Sequence, residues 1–187
     1  MFKPFPKIPR WSRELIITEK LDGTNACVVI SEPGLYSPNA LAYKLQDDGT
    51  YLSMYAQSRG RLITPGDDNY NFAKWVKEFA NELFTLGTGY HYGEWWGKGI
   101  QRGYGLDEKR FSLFNTHRWS KERPVCCDVV PVLATGIGDT IVDSALAKLK
   151  ASGSVAAPGF TNPEGIMIYH TKGQCYFKKT FDDTAKG

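Results

Sequence analysis

Lys20 is the residue with the strongest claim to reactivity, because carboxylates and a glycine turn surround it. Glu19 precedes it and Asp22-Gly23 follows two residues later, while apolar runs at residues 15–17 and 26–30 enclose the segment. A free lysine amine has a pKa of ~10.4, so only about one in a few thousand is neutral at pH 7. Burial, a metal or a second cation is needed to release its lone pair. The segment predicts a nucleophilic lysine or, as the plainer alternative, a hairpin with a solvated lysine.

The composition is typical of a globular protein. The 187 residues are 42% hydrophobic and 23% charged, and they fit one domain spanning residues 1–187. A formal net charge of +3 is compatible with a phosphate-rich partner without identifying one. The sequence therefore predicts one folded domain, and we expect a monomer.

The cysteines and the N-terminus bear on the cellular compartment. Cys27, Cys126, Cys127 and Cys175 show no Cys-x-x-Cys spacing, which favours reduced thiols over a disulfide framework or a zinc site. The first 13 residues lack the continuous apolar core of a signal peptide. No apolar run approaches the length of a membrane span. We therefore expect a cytoplasmic protein with no membrane partner.

The apolar pattern predicts a mixed α+β fold with mainly antiparallel strands and about two helices. One helix is predicted over residues 72–83, with Asn69 or Asn71 as its cap, and a second over 140–151, with Asp139 as its cap. Turns are predicted at Pro33-Gly34 and at residues 47–49. The predicted strands cover residues 15–17, 26–30, 40–44, 51–57, 91–97, 110–114, 125–133, 165–170 and 174–179.

Six short motifs follow one another along the chain. The first is Lys20-Leu21-Asp22-Gly23, and the others are Ser58-Arg59-Gly60, Gly93-Glu94-Trp95, residues 111–115, residues 163–167 and Phe177-Lys178-Lys179. In this order they resemble the motifs of ATP-dependent ligases and mRNA-capping enzymes, and the first resembles their nucleotidyl-acceptor motif. Gly-Ile-Gln at residues 99–101 is similar to the RNA ligase 2 group. The resemblance implies a nucleotidyltransferase (ligase adenylation) domain, with antiparallel sheets flanked by helices around a nucleotide cleft.

The resemblance also implies a role for each matching residue. Lys20 would be the nucleophile that forms lysyl-AMP, with Asp22 and Lys178 as further catalytic residues. Glu164 and Glu94 would hold Mg²⁺ or Mn²⁺, whose preferred ligands are oxygens. Contacts to nucleic acid are expected from Lys98, Gln101 and Arg102. The expected nucleotide-binding residues are Glu19, Lys20, Leu21, Asn25, Arg59, Glu94, Phe114, Glu164, Lys178 and Lys179.

Several of these residues also have a structural interpretation. Glu94 could pair with Arg102, Phe114 could belong to the core, and Asp22 could merely fix the turn. Arg59 and Arg61 alternate, so either could reach the nucleotide.

The two C-terminal lysines depart from the usual Lys-x-Lys pattern. Lys178 and Lys179 are adjacent, and neighbouring strand residues point to opposite faces, so one lysine should line the pocket. We favour Lys178.

The resulting hypothesis is an ATP-dependent polynucleotide ligase. It would join RNA, with DNA or a nicked duplex as a further substrate. Only eight residues follow Lys179, so no C-terminal accessory domain is expected. Two alternatives stay open: a GTP-dependent capping-type nucleotidyltransferase, and a non-sealing module that binds a nucleotide or a nucleic-acid end.

Overall fold

The structure is a computed structural model that describes residues 1–32 and 38–182. The turn predicted at Pro33-Gly34 lies outside the described residues. Contacts group the chain into two compact units, one formed by Met1–Leu21 with Val130–Gly187 and the other by Asp22–Val129. A single domain spanning residues 1–187 stays a prediction.

The described residues form an α+β fold, as predicted, built from two sheets and a few helices. The helices are α1 (Phe72–Glu78), α2 (Ala80–Leu83), α3 (Thr116–Trp119) and α4 (Asp139–Ser152), with a 3₁₀ turn at Phe84–Leu86. The strands are β1 (Glu14–Lys20), β2 (Thr24–Ser31), β3 (Ala42–Leu45), β4 (Tyr51–Ser58), β5 (Leu62–Ile63), β6 (Gly89–Gly97), β7 (Lys109–Leu113), β8 (Cys127–Val129), β9 (Val132–Ile137), β10 (Gly165–His170) and β11 (Cys175–Thr180).

The first unit is a four-stranded antiparallel sheet with strand order β11-β10-β1-β9. Exposure alternates strictly along β1, because successive side chains point to opposite faces of a strand. One face of β1 and β10 packs with α4. The buried residues of this small core are Leu15, Ile17, Val142, Ala145, Leu149, Ile166 and Ile168.

The second unit contains a larger sheet with strand order β3-β4-β2-β6-β7-β8, to which β5 adds at β4. All its pairs are antiparallel except β7 with β8. One face of this sheet is covered by α1, α2 and the 3₁₀ turn. Phe72 and Trp75 pack there against Trp95 and Phe111, so these aromatic residues belong to the core, as predicted for the first two.

The helix predicted over residues 72–83 is broken at Phe79. The Phe79 backbone (φ −97°, ψ 17°) separates α1 from α2, although its amide still donates to Trp75 O and its carbonyl accepts from Leu83 N. The apolar spacing of three and four residues continues across this break. Periodicity alone therefore could not locate it.

The predicted cap of α4 is wrong, and the predicted cap of α1 is right in position only. Asn71 precedes α1 in a left-handed conformation and caps no amide with its side chain. The Asp68 carboxylate instead accepts hydrogen bonds from the Ala73 and Lys74 amides, 2.8 and 3.0 Å away. For α4, Gly138 holds the capping position and Asp139 is the first helical residue, where its charge favours the helix dipole.

His91 predicts a pH dependence of stability. It is 2% exposed, packs edge-on against Trp119, and lies with Nε2 2.8 Å from Gly87 O. Since a carbonyl can only accept, Nε2 carries a proton. Burial lowers the pKa of His91, and the Arg118 charge lowers it further. Below about pH 6.5 the unfolded chain therefore binds a proton that the folded chain refuses.

We expect the free energy of unfolding to fall as the pH drops from about 6.5 toward the lowered pKa, by up to ~1.4 kcal/mol per pH unit. Urea unfolding at pH values across this window measures the effect. His91→Gln should flatten the slope, whereas His117→Gln, at an exposed residue, should leave it unchanged. Equal slopes for wild type and His91→Gln would contradict the assignment.

Candidate functional site

Lys20 lies at the end of β1 in the first unit, where it forms an ion pair with Glu164. Its Nζ is 2.6 Å from Glu164 Oε2, and the two side chains are 22% and 18% exposed. In the β1–β10 ladder Lys20 is opposite Gly165, the residue that follows Glu164. Strand pairing therefore places two motifs 144 residues apart in direct contact.

Gly165 is required at this position by a close main-chain approach. An added Cβ would lie 2.3 Å from Lys179 O and 2.7 Å from Thr180 Cα, which no ordinary contact allows. The Glu164 carbonyl also accepts from Phe181 N. Strand β11 and the residue that follows it thus fix the backbone on both sides of the Glu164–Gly165 bond, and with it the carboxylate that meets Lys20.

The ladder separates the two C-terminal lysines onto opposite faces. Lys178 is opposite Met167, which is opposite Thr18, so Lys178 shares the face of Thr18 and Lys20. Lys179 is opposite the buried Ile166 and donates to Asp143 on α4 at 2.7 Å. Lys178 is exposed, and the described residues offer its ammonium no hydrogen-bond or ion-pair partner.

Glu19 points away from Lys20, into the face that packs with α4. It is 1% exposed, and its carboxylate accepts from Ser154 Oγ at 2.6 Å and from the Val155 and Ala156 amides at 2.8 and 3.0 Å. These three donors satisfy the carboxylate within the protein. Any contact of Glu19 with a nucleotide would therefore be made by its main-chain atoms.

We expect Glu19→Gln to lower the free energy of unfolding by about 1–3 kcal/mol, because the amide nitrogen cannot accept from these donors. Urea denaturation measures the loss. Glu14→Gln, at the exposed start of β1, should change it little. An unchanged midpoint for Glu19→Gln would mean that the three bonds contribute no net stability.

The turn residue Asp22 belongs to the second unit and is held by the loop at residues 98–108. Asp22 Oδ2 accepts from Arg102 Nε at 2.9 Å, and Asp22 N donates to the Tyr104 hydroxyl at 2.8 Å. Tyr104 is buried edge-on against Trp96. The turn-fixing interpretation of Asp22 is thus supported, and Arg102 is engaged in the same turn. A contact of Arg102 with nucleic acid stays a prediction.

Glu94 also contacts this turn. Gly23 N donates to Glu94 Oε1 at 3.2 Å. A Cβ on Gly23 would lie 2.4 Å from Trp95 O, so the glycine permits the turn to pass against β6.

Two of the expected residues, Asn25 and Glu94, share with Ser112 the sheet face opposite the second unit's core. Asn25 is opposite Glu94, and Glu94 is opposite Ser112, so all three side chains project to one side. Phe114 follows Ser112 by two residues, is only partly buried, and donates its amide to Tyr92 O. The other phenylalanine of this segment, Phe111, lies in the core instead.

The structure distinguishes the two arginines that the sequence could not. Arg61 donates to Asp67 Oδ2 at 2.7 Å. Arg59 is exposed just beyond β4, and its side chain has no hydrogen-bond or ion-pair partner in the described part of the chain. Arg59 is therefore the better candidate for binding an external phosphate or ribose.

The other expected residues are mostly placed on the surface. Lys98 and Gln101 are exposed in the loop at residues 98–108, whereas Leu21 is buried. Both tryptophans after Glu94 are buried: Trp95 donates to Tyr70 O and Trp96 to Ser112 Oγ.

The thiol on this face is not a competing nucleophile. Burial raises the pKa of Cys27 to about 12, so it stays protonated at neutral pH. All four cysteines are free thiols.

The described residues contain no preformed metal site built from protein ligands alone. Among residues 1–32 and 38–182 no group of three His, Cys, Asp or Glu side chains is placed to hold an ion. None of the described helices combines the length and apolarity needed to cross a bilayer.

The expected residues thus fall into two sets. Glu19, Lys20, Leu21, Glu164, Lys178 and Lys179 belong to the first unit, and Asp22, Asn25, Arg59, Glu94, Lys98, Gln101, Arg102 and Phe114 to the second. Convergence of both sets on one nucleotide stays a prediction. Sequence reasoning missed Tyr104 and Ser154, since a tyrosine or serine in a loop carries no signal of its distant partner.

Comparison with known proteins gives one family and one fold. The RNA ligase family model matches residues 13–186. No curated protein compared with the chain matches it significantly. Among solved structures, Naegleria gruberi RNA ligase with PPi is 19% identical with a TM-score of 0.60, covering 94% of this chain and 51% of that chain.

Two single-residue variants of the same ligase give similar values. The variant with ATP and Mn is 18% identical, and the variant with AMP and Mn is 16% identical. Each has a TM-score of 0.59 and covers 94% of this chain and 52% of that chain. The chain spans about half the length of these structures, and at such identities the likeness shows a shared fold.

Proposed function

Because the chain belongs to the RNA ligase family, we propose that it joins RNA ends in an ATP-dependent reaction through a lysyl-AMP intermediate on Lys20. The observation that carries the proposal is the position of Lys20. Its amine lies at a strand end, 2.6 Å from the Glu164 carboxylate and on the sheet face that also bears Lys178, for which residues 1–32 and 38–182 supply no partner. The Naegleria structures with ATP, AMP and PPi support this substrate class.

In the first step the neutral Lys20 Nζ attacks the α-phosphorus of ATP. A nitrogen–phosphorus bond forms, the bond to the bridging oxygen breaks, and pyrophosphate leaves with that electron pair. The ammonium proton must be lost before the attack. A carboxylate is a far weaker base than an amine and does not readily keep this proton. Glu164 is therefore suited to orient the amine, while the proton passes on to solvent.

Lys178 supplies positive charge on the same face. Strands β1 and β11 are separated by one strand, so their backbones lie about 10 Å apart. A lysine side chain on each can approach one phosphate between them. Lys178 would stabilise the charge that develops on the phosphate oxygens and favour the neutral form of Lys20.

The residues present fit a divalent ion that arrives with the nucleotide. Mg²⁺ is usually bound by one or two carboxylates together with substrate phosphates, not by an all-protein cage. Glu164 offers such a carboxylate in the first unit, and Glu94 offers one in the second. Mg²⁺ or Mn²⁺ at Glu164 would neutralise phosphate oxygens and compete with Lys20 for the carboxylate.

On the second unit, the face that bears Asn25, Glu94 and Phe114 would hold the nucleoside. The Phe114 ring offers adenine a flat surface, worth about 1–3 kcal/mol by analogy with base–aromatic stacking. Arg59 would contact ribose or phosphate with its planar guanidinium. The exposed Lys98 and Gln101 would contact the RNA.

In the remaining steps AMP moves from Lys20 to an RNA 5′-phosphate, and the RNA 3′-hydroxyl then displaces AMP to form the phosphodiester. DNA ends are a second polynucleotide to test.

The four free thiols favour a reducing compartment, so we place this RNA repair activity in the cytoplasm, and we expect a monomer.

Labelling with α-³²P-ATP or α-³²P-GTP and Mg²⁺ tests the first step. We expect an acid-labile protein adduct with ATP. An adduct with GTP alone would assign capping-type transfer, and no adduct with either would leave a binding module. Sealing of a nicked RNA duplex then tests the complete reaction.

A further inference from the structure

Four cations surround a groove of about 360 Å³ in the first unit. The groove lies at the start of β1, at the other end of this strand from Lys20. Lys7, Arg10 and Arg13 line it from the N-terminal segment, and Lys172 lines it from the turn between β10 and β11. All four are exposed. None of the described residues that line the groove is acidic. The charges therefore repel one another without compensation inside the groove.

A buried histidine holds both walls of this groove in place. His170 is 3% exposed, and its Nε2 donates to Trp11 O at 3.1 Å, while its Nδ1 accepts from Gly173 N at 2.8 Å. Both partners have fixed roles, since a carbonyl can only accept and an amide can only donate. One ring thus joins the N-terminal wall to the turn that carries Lys172.

Aromatic packing secures the N-terminal wall further. Trp11 stacks on the His170 ring at 5.6 Å and packs edge-on against Phe177 at 6.1 Å. Arg13 N donates to Trp11 O. The arginines on either side of Trp11 are therefore held by a packed tryptophan and do not depend on a free terminus.

We propose that this groove binds the sugar–phosphate backbone of the RNA substrate at a distance from the reacting ends. The four cations, with no acid among the described lining residues, fit successive phosphates. That the ligand is RNA rests on the proposed RNA ligase function. That the ligand is a polyanion rests on the four cations of the groove.

Binding of a fluorescein-labelled single-stranded RNA, followed by anisotropy over a series of salt concentrations, tests the proposal. The variant Arg10→Gln/Lys172→Gln removes one cation from each wall. If it loses two phosphate contacts, the slope of log K against log salt should fall by about 1.4, and affinity near 0.15 M salt should fall about tenfold. The matched control is Lys148→Gln/Lys150→Gln on exposed positions of α4, which removes the same charge.

A third variant separates position from charge. Trp11→Ala keeps all four cations but removes the stack on His170, so affinity should fall while the formal charge stays at +3. Equal losses for the groove and α4 variants, or no loss in the groove variant, would overturn the proposal. Groove-dependent binding to phosphatidylserine vesicles, with none to RNA, would overturn it as well.

The adenylylation assay keeps this test independent of the proposed function. The groove variants should label with α-³²P-ATP as wild type does, because the groove lies at the other end of β1 from Lys20. If wild type binds RNA through the groove but never labels, the ligase proposal fails and the groove proposal stands. If wild type labels but the groove variants bind RNA as wild type does, the groove proposal fails and the ligase proposal stands.

Discussion

Lys20→Ala should lower labelling by α-³²P-ATP more than about a thousandfold, because no other group would replace the attacking amine. The residue lies at a strand end and is about one fifth exposed, so the fold should persist. Filter binding or gel autoradiography after a timed reaction measures the adduct, and circular dichroism confirms folding.

Two further variants make this result specific. Lys20→Arg keeps a positive charge beside Glu164 but offers a guanidinium that does not deprotonate, so it should also fail to label. Lys44→Ala, at an exposed position of β3, should label as wild type does. Persistent label on a folded Lys20→Ala protein would show that another residue is the acceptor.

The adjacent lysines of β11 should respond very differently to the same substitution. Lys178→Ala should slow adenylylation about 10²–10³-fold, as the loss of one preorganised charge-stabilising donor typically does. Lys179→Ala removes an exposed ion pair with Asp143 on the α4 face, worth about 0–1 kcal/mol of stability, and should leave the rate nearly unchanged.

Single-turnover rates at saturating ATP provide the comparison, because both variants lose one positive charge from the same strand. A general charge effect would slow them equally. Equal rates, or a larger defect in Lys179→Ala, would contradict the assignment of Lys178 to the reactive face.

Local sequence was sufficient for much of the fold. The apolar runs around the Lys20 segment predicted β1 and β2, and the spacing of Val142, Ala145 and Leu149 predicted the buried side of α4. The choice of Lys178 over Lys179 depended on the two-residue period of a strand. The pairing of β11 with β10 confirms that the two lysines lie on opposite faces of the sheet. These predictions required no knowledge of distant partners.

The remaining features depend on contacts between distant parts of the chain. The donors that bind Glu19 come from Ser154 and the two residues after it, 135 or more positions away. The Tyr104 hydroxyl reaches the Asp22 amide across 82 positions. Propensity and periodicity describe windows of a few turns, so neither could predict which loop would supply these partners.

The length of β1 has a consequence for substrate size. Its seven residues, from Glu14 to Lys20, span about 20 Å at ~3.3 Å per residue. One strand of a duplex carries a phosphate about every 3.4 Å of helix axis, so that span corresponds to roughly six base pairs. An oligonucleotide shorter than this footprint could occupy one end of the strand at a time. Substituting the cations near Arg13 should therefore penalise long substrates and spare the shortest ones.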